Sequence, residues 1–291
     1  MPQILFSRNE LYYSDYFRRD LWQRRAWRML AEHELKAWLA GRSLGAASHH
    51  VVPTAAMSAH LRKAGVLSDA IAVLPFGFDP EIFTQSKEPL AAEQLAKLQS
   101  TPTASKILYV SHYNYFRNFE TLLRALPLIK EKIGRPVQLV LTTELRRDGN
   151  YGGYDATRDV ELIERLKLTD DLVMLGAVAY RQLHEVYRAC DLFACPSYAE
   201  SFGHPLLEAM ANDLPVIAAN LPVHREICQN AATYFDVFDE TELAIRVAEV
   251  LKDEPLRKRL VEAGRQRVKE FSWDAHVEGL MQLMDEVLSA A

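Results

Sequence analysis

Glu200 and Glu208 stand eight positions apart in the run CPSYAESFGHPLLEAMANDLPVIAA, the first ahead of Ser201-Phe202-Gly203 and the second within an apolar stretch. An ionised carboxylate only accepts hydrogen bonds, so two of them flanking one turn suit a ligand rich in vicinal hydroxyls. A glutamate among Leu206, Leu207, Ala209 and Met210 falls on a face expected to be buried. There it costs several kcal/mol unless a donor meets it. A second charged group, Arg117, opens a helix-like stretch and carries a permanent, planar charge. His112, five residues earlier, is mainly neutral at pH 7 unless an anion raises it. Taken alone, Arg117 also reads as a solvated charge, and His112 and His204 as loop residues held by backbone.

The elements that must position these groups follow from the hydrophobic pattern. From Lys106 onward short apolar runs, 106–111, 137–142, 172–175, 191–195, 215–219 and 232–235, alternate with amphipathic stretches such as 118–132 and 182–188. That alternation predicts βαβ units around a parallel sheet buried on both faces, with right-handed crossovers. In such sheets ligands bind beyond the carboxyl ends of strands, where helix N-termini offer unpaired N–H groups. Glu200 and Ser201 fall at one such junction and His112 and Arg117 at another. Thr142, Thr143 and Glu144 end a strand, either lining a pocket or forming a polar turn, and Gly176-Ala177-Val178 follows another strand.

Residues 1–84 predict an incomplete parallel unit, with strands at 4–6, 50–52 and 70–74, one long helix over 16–39 and another over 55–64. The helix over 16–39 carries a stripe of Trp22, Ala26, Met29, Leu30, His33 and Ala37 expected to pack on a core, leaving a solvated basic face. Residues 85–105 read as a linker with a short helix, 106–271 as a complete Rossmann-like domain, and 272–291 as a terminal helix. The stripe of that helix, Val277, Leu280, Met281, Met284, Val287 and Leu288, is expected to be buried.

Composition narrows the classes. Apolar residues make up 49% and charged residues 25% of 291 residues, which excludes a disordered chain. A net charge of −5 gives no basic footprint for nucleic acid. The three cysteines form neither a C-x-x-C pair nor a metal cluster, so neither a disulfide framework nor a metal is expected. With no signal peptide or membrane span in the sequence, a cytoplasmic protein is expected, with peripheral membrane association left open.

The run Glu200 to Ala211, followed by Leu214-Pro215-Val216-Ile217-Ala218, resembles the E-x7-E signature of retaining glycosyltransferases of family 4, the glycosyl transferases group 1, which have the GT-B fold. Residues 106–129, 72–83 and 270–276 resemble three further segments of that family: the phosphate loop and its helix, the end of the first domain, and the helix returning to it. The resemblance implies an α/β, GT-B-like fold, with one complete Rossmann-like C-terminal domain and a partial N-terminal domain on the acceptor side. It implies transfer of a sugar from a nucleoside-diphosphate sugar with retention, Glu200 and Arg117 acting in catalysis. The donor would be held by His112, Arg117, Glu200, Ser201, Phe202, Gly203, His204, Glu208, Val178 and Thr143. Glu200 would meet sugar hydroxyls, Glu208 the ribose, and the N–H groups of Phe202, Gly203 and His204 the sugar and phosphates. Gly203 permits close approach, and the turn 176–178 would contact the base. His112 departs from the arginine common at its position.

No cofactor or metal is implied beyond the donor. The acceptor is open among glycans, lipid-linked molecules and small molecules, and a homodimer is a further expectation. No glycine-rich loop of a complete first domain precedes residue 84. That leaves an alternative from another class, a nucleotide-sugar-binding module or inactive remnant.

Overall fold

In the computed structural model, which describes residues 3–86 and 88–289, the chain forms two parallel sheets. Lys87 of the expected linker and the outermost residues of both terminal segments lie outside the described residues.

The first unit comprises β1 (Ile4–Phe6), α1 (Asp15–Gln23), α2 (Trp27–Leu44), β2 (His49–Val52), α3 (Ala55–Lys63) and β3 (Ile71–Val73). Its three strands pair in sequence order, all parallel. Helices α4 (Pro80–Thr84) and α5 (Ala92–Gln99) lead to the second unit. There β4 (Ser105–Tyr109), α6 (Phe119–Ile133), β5 (Val137–Leu141), α7 (Thr157–Leu166), β6 (Leu172–Met174), α8 (Leu183–Arg188), β7 (Leu192–Cys195), α9 (His204–Ala211), β8 (Val216–Ala219), α10 (Pro222–Cys228) and β9 (Ala232–Phe235) alternate strictly. Helices α11 (Glu240–Lys252), α12 (Glu254–Val268) and α13 (Trp273–Ser289) complete the chain.

The six-stranded sheet runs β6-β5-β4-β7-β8-β9, every pairing parallel. Strand order reverses between β4 and β7, which opens a crevice beyond their carboxyl ends. Apolar runs such as Leu139, Val140 and Leu141 are buried because helices cover both faces. All six strands expected from Lys106 onward form, as do the three of the first unit.

Three expectations need correction. The helix over 16–39 is two helices, α1 and α2. Arg24 turns back onto Asp20 at 2.9 Å and over the Tyr115 ring, while Arg25 adopts a left-handed φ of 56°. That break lets Leu21 of α1 and Met29 and Leu30 of α2 reach one core. Its apolar stripe is only partly packed: His33 is buried, but Trp22 is 64% exposed and meets Trp27 edge-on in solvent. The third correction concerns α13. A Cβ on Gly279 would stand 2.7 Å from Leu74 Cδ2, so the helix rests on the three-stranded sheet through its Gly279 side. Leu283 and Val287 are thereby buried against Val51 and Ile4, while Val277, Met281, Met284 and Leu288 face outward. Among the described residues no helix is long and apolar enough to cross a membrane.

Candidate functional site

The segment after β4 reaches the crevice through tight local chemistry. The Asn114 side chain accepts the Arg117 N–H at 3.0 Å, closing a turn, and Asn118 takes a left-handed φ of 54° to start α6. Asn118 Nδ2 donates to Pro196 O at 3.0 Å, and the Tyr109 hydroxyl bridges Arg117 O and Ser197 Oγ at 2.9 Å each. The loops after β4 and β7 are thus fastened to each other at the strand-order reversal.

Those bonds set Arg117 beside Glu200. Arg117 Nη1 donates to Glu200 Oε2 and approaches Ser197 Oγ at 3.4 Å. Burial alone would raise the Glu200 carboxyl, but the charge and hydrogen bond of Arg117 and the Ser201 N–H outweigh it and hold the carboxyl below its ordinary range. Burial likewise works against the Arg117 charge, and Glu200 more than restores it. Arg117 Nε is buried and has no hydrogen-bond partner among the described residues.

Glu208, the fifth residue of α9, lines the same crevice and is 5% exposed. Tyr187 of α8 donates its hydroxyl to Glu208 Oε2 at 2.8 Å. Burial pushes the Glu208 carboxyl up to about 7, the Tyr187 hydrogen bond acting in the opposite sense. The donor expected from a ligand is therefore already partly present in the fold. Tyr187 was legible only as an apolar helix position, since nothing in its spacing marks a hydroxyl aimed at a carboxylate.

A cavity of about 990 Å³ joins these groups. Five of the residues expected at the donor, His112, Arg117, Thr143, Val178 and Glu208, line it, together with Glu144 and Gly176. Glu200 adjoins it through Arg117. Ser201, Phe202, Gly203 and His204 form the head of α9 and are not among the lining residues. Burial lowers the His112 imidazole, and Arg117 lowers it further; burial lowers His204 as well. In the first turn of α9, Pro205 carries no N–H and the Leu206 N–H bonds Gly203 O at 2.9 Å, which leaves the His204 N–H without an intrahelical partner at the positive end of the helix.

The first unit closes over this loop. Glu10 Oε2 accepts the Glu200 N–H at 3.0 Å, and Thr54 Oγ1 donates to Ser201 O at 3.3 Å. Phe76 stacks on His204 at 5.7 Å and meets Phe202 edge-on. Glu10 carried no assignable role in the sequence because its partner is a backbone N–H 190 residues away.

With that geometry in view, the sequence pattern of the family described as glycosyl transferases group 1 matches residues 91–267. A D-inositol 3-phosphate glycosyltransferase from Corynebacterium jeikeium is 29% identical over 222 residues, covering 75% of this chain and 52% of that protein. The chain spans about half the length of the relatives it matches in sequence. Among solved structures, sucrose-phosphate synthase from Thermosynechococcus elongatus superposes with a TM-score of 0.73 at 25% identity, over 90% of this chain and 64% of that one. HepE from Anabaena, solved with UDP and glucose, superposes with a TM-score of 0.71 at 21% identity, over 100% of this chain and 72% of that one. The α/β, GT-B-like fold class expected from the sequence is the one observed.

Proposed function

The chain belongs to the glycosyl transferases group 1 family, and from that premise we propose that it transfers a glycosyl group from a nucleoside-diphosphate sugar to a hydroxyl of an acceptor, with retention at the anomeric carbon. The observation that carries this reading is the convergence of a buried arginine with an unpartnered Nε and a buried glutamate on one cavity at the strand-order reversal. In this reading the diphosphate lies against Arg117 and the N-terminus of α9, the ribose against Glu208, and the sugar hydroxyls against Glu200.

The bond between the anomeric carbon and the diphosphate oxygen breaks while one to the acceptor oxygen forms on the same face. The acceptor proton passes to the departing phosphate oxygen. Arg117 and the head of α9 stabilise the charge that accumulates there. The pairing of Glu200 with Arg117 suits it to orient hydroxyls. In the same reading, the six-stranded unit holds the donor, and the three-stranded unit with α13 lies on the acceptor side.

The test is a panel of nucleoside-diphosphate sugars examined first by thermal shift, then by transfer to glycan, lipid-linked and small-molecule acceptors, with product anomers read by NMR. A stabilising donor and an α-linked product from an α-donor support the proposal. A donor that stabilises but is never consumed, with any acceptor or water, supports the binding-module reading instead.

A further inference from the structure

The cavity lining includes a charged side chain, Glu144, that the phosphate, ribose and sugar contacts leave without a role. Beyond β5, Thr143 and Glu144 form one wall; beyond β6, Gly176, Ala177 and Val178 form the wall beside it. The two are in contact: a Cβ built on Gly176 would lie 3.6 Å from Glu144 Oε1. The backbone that sets Glu144 there is fastened by Tyr151, whose hydroxyl donates to Glu144 O at 2.6 Å and accepts the Arg146 N–H at 2.8 Å. The Glu144 side chain is 43% exposed, with Arg146 Nη1 at 3.7 Å.

This inference rests on the donor reading above. With the diphosphate at Arg117 and the ribose at Glu208, the base extends from the ribose away from the phosphates and meets the walls that carry Glu144 and Val178. A carboxylate offers acceptors only. Guanine alone among the common bases presents two adjacent donors, N1–H and the N2 amino group, which match the two oxygens of one carboxylate. Uracil offers a single N3–H between two carbonyl oxygens that a carboxylate repels. Adenine and cytosine place a ring-nitrogen acceptor beside their amino group. We propose that the donor is a guanosine-diphosphate sugar and that Glu144 is the residue that selects its base.

The experiment is titration calorimetry of the full chain with GDP, UDP (the nucleotide in the HepE complex) and ADP, repeated on Glu144→Gln and Glu144→Ala. GDP is expected to bind about tenfold or more tighter than UDP or ADP to the unaltered protein, because it alone makes a paired, charge-assisted contact. Both substitutions should erase that advantage while UDP binding holds or rises, which also shows the variants folded. Equal affinity for GDP and UDP in the unaltered protein, or a GDP preference that survives both substitutions, overturns the base assignment and leaves the donor reading standing. Failure of all three nucleotides to bind overturns the donor reading and the base assignment with it.

Discussion

Tyr187 donates its hydroxyl to Glu208 across 2.8 Å, and both side chains are buried. One neutral donor does not compensate a carboxylate taken out of water, so the protonated form of Glu208 persists to about pH 7. A ribose bringing two further hydroxyl donors would complete the shell and favour the ionised form. On the donor reading proposed above, ligand binding and proton release from Glu208 would be linked.

The first prediction follows from that linkage. Raising a carboxyl from an ordinary 4.5 to about 7 favours the protonated fold. Stability from this group is fully present below 4.5 and is lost as pH rises through 7, by on the order of 3 kcal/mol. Urea melts between these pH values should show that decline in the native chain and its absence in Glu208→Gln. Tyr187→Phe removes the opposing hydrogen bond and moves the upper inflection above 7. A Glu208→Gln profile parallel to the native one would refute the assignment.

Arg117 separates folding from binding. Arg117→Ala leaves the Glu200 carboxylate buried without its main counter-charge, a loss of about 3–5 kcal/mol for a buried pair broken on one side. Adding Glu200→Gln removes the stranded charge and should recover much of that stability, while nucleotide-diphosphate binding stays weak because the phosphate partner is still missing. Denaturant midpoints and calorimetry on the two variants check this. Recovery of nucleotide binding in the double variant would exclude Arg117 from the phosphate site.

Gly203 tests the head of α9 without altering charge. Its φ is 92°, and a Cβ there would approach Leu206 Cδ1 to 2.8 Å. Gly203→Ala should cost about 1–3 kcal/mol through backbone strain and weaken binding of the diphosphate more than that of the nucleoside alone. Equal losses for both ligands would mean that the head of α9 does not face the phosphates.

Much of the six-stranded unit was legible because each buried parallel strand is a short apolar run, and the run from Glu200 to Ala218 marked the site. The errors arose where packing decides. The stripe of α13 was read from hydrophobicity alone, yet the absence of a side chain at Gly279 chose the face that meets Leu74. The continuous helix over 16–39 failed at Arg25, a residue type that signals no break, because Asp20 one turn back and Tyr115 across the fold hold Arg24 in place. Tyr187, Glu10 and the Asn118–Pro196 bond were invisible for the same reason: each acts on a partner distant in sequence.

The last prediction concerns the junction of the two units. Glu226 of α10 accepts the N–H groups of Ala55 and Ala56 at 2.7 and 2.9 Å, one with each carboxylate oxygen. It thereby satisfies first-turn donors of α3 that have no intrahelical partner, and its charge complements the positive end of that helix. Glu226→Ala removes both bonds and should cost about 0.5–2 kcal/mol. Because Thr54 still caps Met57 N at 3.2 Å, α3 should remain folded while its hold on the second unit loosens. Hydrogen exchange then discriminates: the amides of Ala55 and Ala56 should exchange faster in Glu226→Ala, while that of Met57 changes little. Uniform acceleration along α3 would mean that Glu226 stabilises the helix itself rather than its attachment, and no change at Ala55 or Ala56 would remove the contact from the solution structure.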